Sequence, residues 1–335
     1  MILAAGEALF DMIGTPVGAG QAFLPVYGGS PLNVALGLSR LGRSVAYLTK
    51  LSTDYFGEAL HDFMVREGID TRFVVRAPGA QTTLAFVAFD GAGHPAYSFY
   101  AAGAADRSMT EADLPAALDP AIKAVHFGSI SLALEPTATT LFSFLKQVSA
   151  SRVVALDPNV RASIIADRTL WLERFATMRA HADIVKASAE DVAWIEGDDA
   201  DAEEVARRWS TEGPAVAFVT DGGRGVAVAV DGESVFVPSF AVEVTDTVGA
   251  GDTFQAAVLT RLDEMGLLSK ERIRKVTLRD HEPHRPFRHR RRRHHLHPPR
   301  RRPAAPRRGR RLSRRTSRGR LELSGPFPIA SGRRA

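Results

Sequence analysis

The sequence of 335 residues contains no cysteine, which excludes a disulfide scaffold, a thiolate metal site and a cysteine nucleophile. It also has no run of about 18 apolar residues, so we expect no membrane-spanning helix. The first residues carry no basic segment, and Glu7 and Asp11 interrupt their apolar character, so we expect no signal peptide. These absences favour a cytoplasmic location.

Charge is distributed unevenly along the chain. Residues 281–335 contain 19 arginines and no lysine, with Glu282 and Glu322 as the only acids, which gives a net charge of +17. Residues 1–280 carry 24 basic and 36 acidic groups, a net charge of −12. The overall net charge of +5 describes neither part, so the high pI does not by itself indicate a polyanionic partner.

The Arg-rich segment has too few large apolar residues to bury a core, and its composition predicts disorder. Three interpretations stay open. The first is that the segment is a translation of GC-rich DNA in the wrong frame, which we favour because arginine, proline and histidine occur without lysine. The second is that it is an inert solvated extension. The third is that it is an arm that binds nucleic-acid phosphates in a salt-dependent manner. The histidines at 294, 295 and 297 would bind a metal ion only incidentally.

Residues 1–280 alternate short β-rich runs with helical stretches, which predicts an α/β fold with a mostly parallel sheet covered by helices on both faces. Ligands bind to such sheets beyond the carboxyl ends of the strands. The predicted strands are Ile2–Ala5, Val45–Leu48, Thr83–Phe89, Ala124–Phe127, Val153–Leu156, Asp183–Lys186, Ala215–Thr220 and Gly225–Val230.

Two aromatic runs depart from this alternation. Phe23–Tyr27 and Tyr97–Tyr100, with the predicted strand Thr83–Phe89 nearby, indicate either a small antiparallel sheet beside the main one or an edge extension of it. Asp231-Gly232 lies between two β-rich runs and predicts a hairpin.

The strongest motif is DTVGAGDTF at residues 246–254. Gly249–Gly251 precede a helical stretch, whose free N–H groups and dipole form an anion site. Asp252, in the first turn, is placed to accept a proton from an attacking hydroxyl while the N–H groups stabilise charge on a transferred phosphoryl group. An isolated aspartate there would usually only complement the helix dipole, but the glycines before it favour the catalytic interpretation.

A second motif, GGSPLN, begins at Gly28 and leads into another helical stretch. We expect Ser30 to be the N-cap and Pro31 the first helical residue. Asn33 would then face the end of the sheet, with a donor and an acceptor for a hydroxylated ligand. Ordinary capping explains Ser30 and Pro31 but neither the glycine pair nor Asn33.

Weaker signals follow other strands. The glycine turn at residues 220–225 is either a nucleotide contact or a tight β-turn. Two interpretations, helix capping and ligand contact, stay open for Asp11, residues 157–161 and residues 186–191. The sequence contains no GxxxxGK[ST], GxGxxG or GxSxG motif, which disfavours P-loop enzymes, dinucleotide dehydrogenases and α/β-hydrolases.

GGSPLNVALGLSRLG and DTVGAGDTF, in this order, resemble the two signatures of the PfkB, or ribokinase-like, carbohydrate kinases. The resemblance covers residues 1 to about 280. The segments GEALFDMI, AYSFYAAGAADR, DPNVR and VKASAEDVAWI are similar to segments of the bacterial fructokinases within that family.

The resemblance implies a three-layer α/β/α domain over residues 1–280, with a small β lid whose strands lie around 12–30 and 83–105. It implies phosphorylation of a sugar primary hydroxyl by ATP, with D-fructose as the expected sugar. It makes Asp252 the base and residues 249–251 the anion hole, namely Gly249, Ala250 and Gly251. The implied sugar-binding residues are Asp11, Gly29, Ser30 and Asn33, with Phe99 and Arg161 as weaker candidates.

For the nucleotide, the resemblance implies contacts from Lys186, Ser188, Thr220, Gly222 and Gly225. Mg²⁺ would bridge the ATP phosphates and keep most of its waters. The N-x-x-E element of the family corresponds here to Ser188-x-x-Asp191, which makes Asp191 the candidate metal residue. Asp246 begins the loop that binds a monovalent cation such as K⁺ in several relatives.

The chain departs from the family pattern after about Asp280. A family member should continue with an Ala-rich helix and a glycine-containing turn beside the adenine, so the expected kinase domain is C-terminally incomplete. The alternatives are a 2-keto-3-deoxygluconate kinase or other sugar kinase, an inactive truncated homologue, and a polyanion-binding protein acting through its tail. The expected partners are the sugar and ATP, with the lid as a candidate homodimer contact. Neither a membrane nor, unless the tail is authentic, a nucleic acid is expected.

Overall fold

The computed structural model describes residues 1–18, 20–89, 95–240 and 249–278. The predictions for Asp246 and for residues 281–335 lie outside the described residues. The strands β1 to β13 are Ile2–Ala5, Leu9–Val17, Gly20–Gly28, Val45–Ser52, Asp70–Ala77, Leu84–Phe89, Pro95–Tyr100, Ala124–Gly128, Val153–Asp157, Ile184–Ser188, Val216–Asp221, Gly225–Val230 and Glu233–Pro238. The helices α1 to α8 are Ser30–Arg40, Tyr55–Arg66, Thr137–Ser149, Arg168–His181, Ala189–Glu196, Ala202–Trp209, Ala250–Glu264 and Lys270–Ile273.

Nine strands form the main sheet, in the order β13-β12-β11-β10-β9-β8-β1-β4-β5. The pairs from β5 across to β11 are parallel, and β12 and β13 add an antiparallel edge. The mostly parallel sheet predicted from the sequence is therefore confirmed. β5 was not among the predicted strands, because charged residues interrupt its apolar pattern at this half-exposed edge.

Helices cover both faces of the main sheet. Strand side chains alternate between the faces, so Ile2 and Ala4 pack in one core cluster while Leu3 and Ala5 pack in the other. One cluster receives side chains from α1, α2, α7 and α8, and the other from α3, α4, α5 and α6. The three-layer α/β/α fold is confirmed. Within the described residues, no helix combines the length and apolar character needed to cross a bilayer.

A separate four-stranded sheet has the order β3-β2-β6-β7. Its strands pair with one another and not with the main sheet, so the alternative of an edge extension is wrong. The expectation of an antiparallel sheet is wrong for one pair, because β2 and β6 run parallel from Phe10 opposite Leu84 to Ile13 opposite Val87. Asp11 was expected at the end of a strand, but it lies inside β2, because that strand begins at Leu9.

The hairpin predicted at Asp231-Gly232 joins β12 to β13, with Val230 opposite Glu233. Both turn residues have positive φ, 49° at Asp231 and 77° at Gly232, as a two-residue type I′ turn requires.

Candidate active site

The candidate site lies at the carboxyl ends of the parallel strands, beside the starts of α1 and α7. These two helices pack closely: a Cβ on Gly37 would lie 2.7 Å from the Cβ of Ala256. The contact brings the GGSPLN and GAGDTF motifs, more than 200 residues apart in sequence, to one end of the sheet.

Asp252 is buried in the first turn of α7, with 6% of its surface exposed. Its Oδ1 accepts a hydrogen bond from Ser30 Oγ at 2.7 Å, and its Oδ2 accepts one from Asn33 Nδ2 at 2.9 Å. Both carboxyl oxygens are thus held by side chains of α1. The orientation of Asn33 toward the end of the sheet agrees with the sequence expectation, and its donor is used by Asp252.

The glycines before Asp252 form the start of α7. Gly249 is the N-cap, in the left-handed region with φ 73°. The N–H groups of the first helical turn have no acceptor within the helix. A Cβ on Gly251 would lie 2.8 Å from Lys186 Nζ, so a lysine ammonium lies directly behind this turn.

The prediction that Ser30 caps α1 is wrong. The helix begins at Ser30 itself, Gly29 occupies the N-cap position, and Pro31 is the second helical residue. The physical reason is that the Ser30 hydroxyl donates to Asp252, while its backbone N–H donates to Glu7 Oε1 at 3.2 Å.

The glycine pair is explained by close approaches. A Cβ on Gly28 would lie 2.3 Å from Asp11 Oδ2, and a Cβ on Gly29, where φ is 106°, would lie 2.7 Å from the Glu7 carbonyl oxygen. Burial raises the pKa of Asp11 to about 6, against the opposing charge of Arg161. Asp11, Arg161 and Asp252 are therefore electrostatic neighbours.

Arg161 and Phe99 both lie next to the ring of Tyr97. The guanidinium carbon of Arg161 is 5.5 Å from the centroid of the Tyr97 ring, and that ring stacks on Phe99 with centroids 5.9 Å apart. Phe99 also packs against Leu9 and Ile130. The two candidates thus join the small sheet to the body next to Asp11.

Lys186 and Asp157 form an ion pair of 2.9 Å between Nζ and Oδ2. Both side chains are buried, at 4% and 0% exposure. Burial opposes the charge on Lys186, but Asp157, Asp191 and Asp252 outweigh it and raise the pKa of Lys186. The fully buried His126 lies close enough to feel that charge, and burial together with Lys186 lowers its pKa to about 3. His126 is therefore neutral, and sequence reasoning gave no signal for it.

Ser188 and Asp191 form a capping box at the start of α5. Ser188 N donates to Asp191 Oδ2 at 2.9 Å, Asp191 N donates to Ser188 Oγ at 3.0 Å, and Val160 N donates to Asp191 Oδ1 at 2.7 Å. The structure thus gives both residues a local role, and their roles toward nucleotide and metal stay predictions.

The glycine turn after β11 contains one glycine, Gly222, with open space around it and another, Gly225, that is closely packed. At Gly222, with φ 45°, a Cβ would meet no atom within 4 Å. At Gly225 a Cβ would lie 2.2 Å from the Val237 carbonyl oxygen, so this glycine is required by the β12–β13 pairing. Thr220 Oγ1 donates to the Ala187 carbonyl at 3.4 Å. Nucleotide contacts by these residues stay predictions.

Besides His126, sequence reasoning missed Glu7 at this site. It follows β1, is 2% exposed, and hydrogen-bonds the starts of two other elements. The available signal was an acidic residue directly after a fully apolar strand.

Comparison with known proteins gives a consistent result. The sequence pattern of the pfkB family carbohydrate kinases matches residues 1–275. The chain is 39% identical over 274 residues to a fructokinase of Rhizobium leguminosarum bv. trifolii, covering 82% of this chain and 83% of the relative.

Solved structures are similar as well. A fructokinase from Xylella fastidiosa with bound ATP superimposes with a TM-score of 0.72 at 32% identity, covering 78% of this chain and 81% of that one. A fructokinase from Vibrio cholerae O395 with bound fructose, ADP and calcium ion gives a TM-score of 0.70 at 27% identity, covering 78% and 83%.

Proposed function

Because the chain belongs to the pfkB family of carbohydrate kinases, we propose that it transfers the terminal phosphoryl group of ATP to the primary hydroxyl of D-fructose, forming fructose 6-phosphate. The similar proteins named as fructokinases, two of them solved with ATP or with fructose and ADP, support this choice of substrates. The observation that carries the proposal is the buried carboxylate of Asp252, fixed by Ser30 and Asn33 at the start of a glycine-led helix.

Asp252 is the proposed general base. A carboxylate at hydrogen-bond distance from the sugar hydroxyl accepts its proton as the oxygen attacks phosphorus. Ser30 and Asn33 hold the two carboxyl oxygens in one orientation, so the base is positioned before the substrate binds.

The turn before Asp252 is the proposed anion hole. The N–H groups of Gly249, Ala250 and Gly251 would stabilise negative charge on the transferred phosphoryl oxygens. The buried Lys186 ammonium behind Gly251 adds positive charge close to this turn. Phosphoryl transfer depends mainly on such positioning and charge stabilisation.

Mg²⁺ fits the chemistry of the residues present. Asp157 Oδ1 is a buried carboxyl oxygen without a hydrogen bond among the described residues. Asp191, like Asp157, lies close enough to Lys186 to raise the pKa of that lysine. Mg²⁺ bound with ATP keeps several waters and takes only one or two protein carboxylates. When bound, Mg²⁺ would neutralise phosphate charge, and Asp157 and Asp191 are the carboxylates that would hold it. A K⁺ site at Asp246 stays a prediction.

A neutral sugar suits this pocket better than a sugar acid. A carboxylate substrate needs an uncompensated cation, and Arg161 is the candidate. Arg161 already interacts with the Asp11 carboxyl and lies over the Tyr97 ring. This pairing favours fructose over 2-keto-3-deoxygluconate, because a second carboxylate would be repelled by Asp11.

The test is a coupled ATP assay with fructose, 2-keto-3-deoxygluconate and ribose, using the wild type and Asp252→Asn. The amide cannot accept the proton, so we expect turnover to fall by about 10²–10⁴-fold while fructose still binds. Asp263→Asn, three turns along the same helix at the surface, is the matched control and should keep wild-type turnover.

Near-wild-type turnover in Asp252→Asn would remove that residue as the base. A wild type that phosphorylates no sugar in the panel would contradict the proposed function and favour the inactive homologue.

Two further proposals concern the setting of the enzyme. The small sheet exposes apolar side chains on both faces, Leu24 and Val26 on one and Phe23 and Tyr100 on the other, and we propose this sheet as the contact of a homodimer. A cytoplasmic location stays the prediction made from the sequence.

A further inference from the structure

We propose that Glu7 is a positioning residue for phosphoryl transfer, because it fixes Ser30 and, through the Ser30 hydroxyl, orients the Asp252 carboxylate. This inference rests on the proposed function and adds to it a residue outside both signature motifs. Glu7 follows β1, and its carboxyl oxygens contact Ser30 and Ser131.

The Glu7 carboxyl group joins two chain segments. Its Oε1 accepts from Ser30 N at 3.2 Å, at the first residue of α1. Its Oε2 accepts from Ser131 N at 3.2 Å and is 2.7 Å from Ser131 Oγ, in the 3-10 turn Ser129–Leu132 that follows β8. Ser131 Oγ also lies 2.8 Å from the Gly128 carbonyl. One carboxyl group therefore ties the end of β1 to the segment after β8 and to the start of α1.

The connection continues to the proposed base. Ser30 Oγ, on the residue whose N–H is held by Glu7, donates to Asp252 Oδ1 at 2.7 Å. The other oxygen of Asp252 is held independently by Asn33. Moving Ser30 would leave the carboxylate with one of its two donors, free to rotate about the remaining one.

The backbone around Glu7 allows little adjustment. The Glu7 carbonyl accepts from the Tyr47 hydroxyl at 2.5 Å, and a Cβ on Gly29 would lie 2.7 Å from that carbonyl oxygen. A Cβ on Gly6 would lie 2.6 Å from both Ser131 Oγ and Pro31 Cγ. The turn is thus packed on both sides, and the carboxyl group is the polar contact that sets the position of Ser30.

A fully buried carboxyl group is costly to keep in a protein interior. Burial raises the pKa of Glu7 above its usual range, and the Ser131 hydroxyl opposes that rise. The hydrogen bonds from Ser30 and Ser131 offset that cost, and an apolar residue at this position would leave both N–H groups without this acceptor.

The experiment uses Glu7→Gln in the full chain. Glutamine has the same size, but its NH₂ group must face either the Ser30 N–H or the Ser131 N–H, so one side of the connection is lost. We expect kcat to fall about tenfold to a hundredfold, because a small misplacement of a catalytic group lowers the rate by such factors. KM for fructose and ATP should change less than threefold.

A double-mutant cycle with Ser30→Ala separates positioning from general structure. If Glu7 acts through Ser30, Glu7→Gln lowers kcat in the wild-type background and has little further effect in Ser30→Ala. Equal losses in both backgrounds would overturn the inference. The matched control is Asp106→Asn, a second buried carboxyl group without contact to Ser30 or Asp252, which should keep wild-type kcat.

Two measurements keep the inference testable in every case. If Glu7→Gln does not fold, Ser131→Ala takes its place and should lower kcat only when Ser30 is intact; an unchanged kcat would overturn the inference. If the wild type phosphorylates no sugar, the proposed function fails, and a crystal structure of Glu7→Gln decides the inference. A Ser30 Oγ–Asp252 Oδ1 distance beyond 3.5 Å supports it, and an unchanged 2.7 Å overturns it.

Discussion

At the residue scale, the glycines of the site are explained by the atoms behind them. Gly28 leaves room for the Asp11 carboxyl, Gly29 for the Glu7 carbonyl and Gly251 for the Lys186 ammonium. In each case a Cβ would overlap a polar atom at the carboxyl ends of the strands. The glycines therefore let polar and charged groups approach the backbone that surrounds Asp252.

Gly251→Ala is the substitution that tests this at the proposed anion hole. The added methyl group would lie 2.8 Å from Lys186 Nζ, so the lysine or the first turn of α7 must shift. We expect kcat to fall about tenfold or more, because the displaced N–H groups no longer meet the phosphoryl oxygens. Steady-state kinetics with varied ATP measures this.

Gly20→Ala provides the control, since its Cβ would have only an ordinary contact, 3.7 Å from the Val17 carbonyl oxygen, in the small sheet. It should keep wild-type kinetics. Equal kcat in Gly251→Ala and the wild type would contradict the close approach of Lys186.

The residues of the site differ in how far the sequence predicted them. The placement of Asp252 after Gly249–Gly251 at a helix start followed from local pattern alone. The partner of Ser30 did not, because 222 residues separate it from Asp252 and a serine before a helix is locally typical of a cap. Glu7 was missed for the same reason, since all its side-chain contacts are distant in sequence.

At the element scale, two adjacent threonines join the small sheet to the body just before β6. Thr82 donates from N and Oγ1 to the carboxyl group of Asp54, which also caps α2. Thr83 Oγ1 donates to Asp106 Oδ1 at 2.6 Å, and the Thr83 carbonyl accepts from Phe10 N. The start of β6 is thus fixed from both sides by carboxyl groups of the body.

The pairing of the small sheet could not be read from the sequence. Aromatic runs indicated strands at β3 and β7, but the parallel contact of β2 with β6 joins segments about 70 residues apart. Alternation within a strand predicts which side chains share a face and does not specify the neighbouring strand or its direction.

Asp106 predicts a pH dependence of stability. Burial raises its pKa to about 7, the Thr83 hydroxyl opposes this, and the nearby Glu7 carboxyl adds to it. Between about pH 4 and 7 the folded state keeps a proton that the unfolded state releases, so stability falls as pH rises through this window. The slope from Asp106 is at most about 1.4 kcal/mol per pH unit.

We expect Asp106→Asn to flatten the decline in the free energy of unfolding between pH 5 and 7.5, measured by urea denaturation. Asp62→Asn, on the exposed side of α2, should leave the wild-type slope. A slope unchanged in Asp106→Asn would show that this carboxyl group ionises equally in both states.

At the scale of the whole molecule, the two ends of the main sheet have different roles. The carboxyl end carries Asp252, Lys186 and Glu7, while the opposite end carries a buried aspartate, Asp183, at the start of β10.

The Arg-rich residues 281–335 lie outside both the matched and the described residues, so the interpretations of this segment stay predictions. The α/β/α layers followed from the alternation of elements, because each face of a parallel sheet requires a helical cover.

Asp183 is fully buried at the end of the sheet remote from the site. Its Oδ2 accepts from Val154 N at 2.9 Å and Lys270 Nζ at 2.6 Å, and Arg274 lies 3.6 Å from Oδ1. Asp183→Ala leaves the Val154 N–H without an acceptor and releases α8, so we expect a loss of at least about 1–3 kcal/mol in the free energy of unfolding. Because the site is at the other end, kcat and KM of the folded enzyme should not change.

Asp263→Ala is the matched control, because Asp263 also pairs with one lysine and one arginine, Lys123 at 2.9 Å and Arg43 at 3.6 Å, but its side chain is 18% exposed and not fully buried. Exposed pairs contribute about 0–1 kcal/mol, so its loss should be smaller. Equal losses in the two variants would contradict a structural role for burial at Asp183, and a fall in kcat for Asp183→Ala would mean that the two ends of the sheet are coupled.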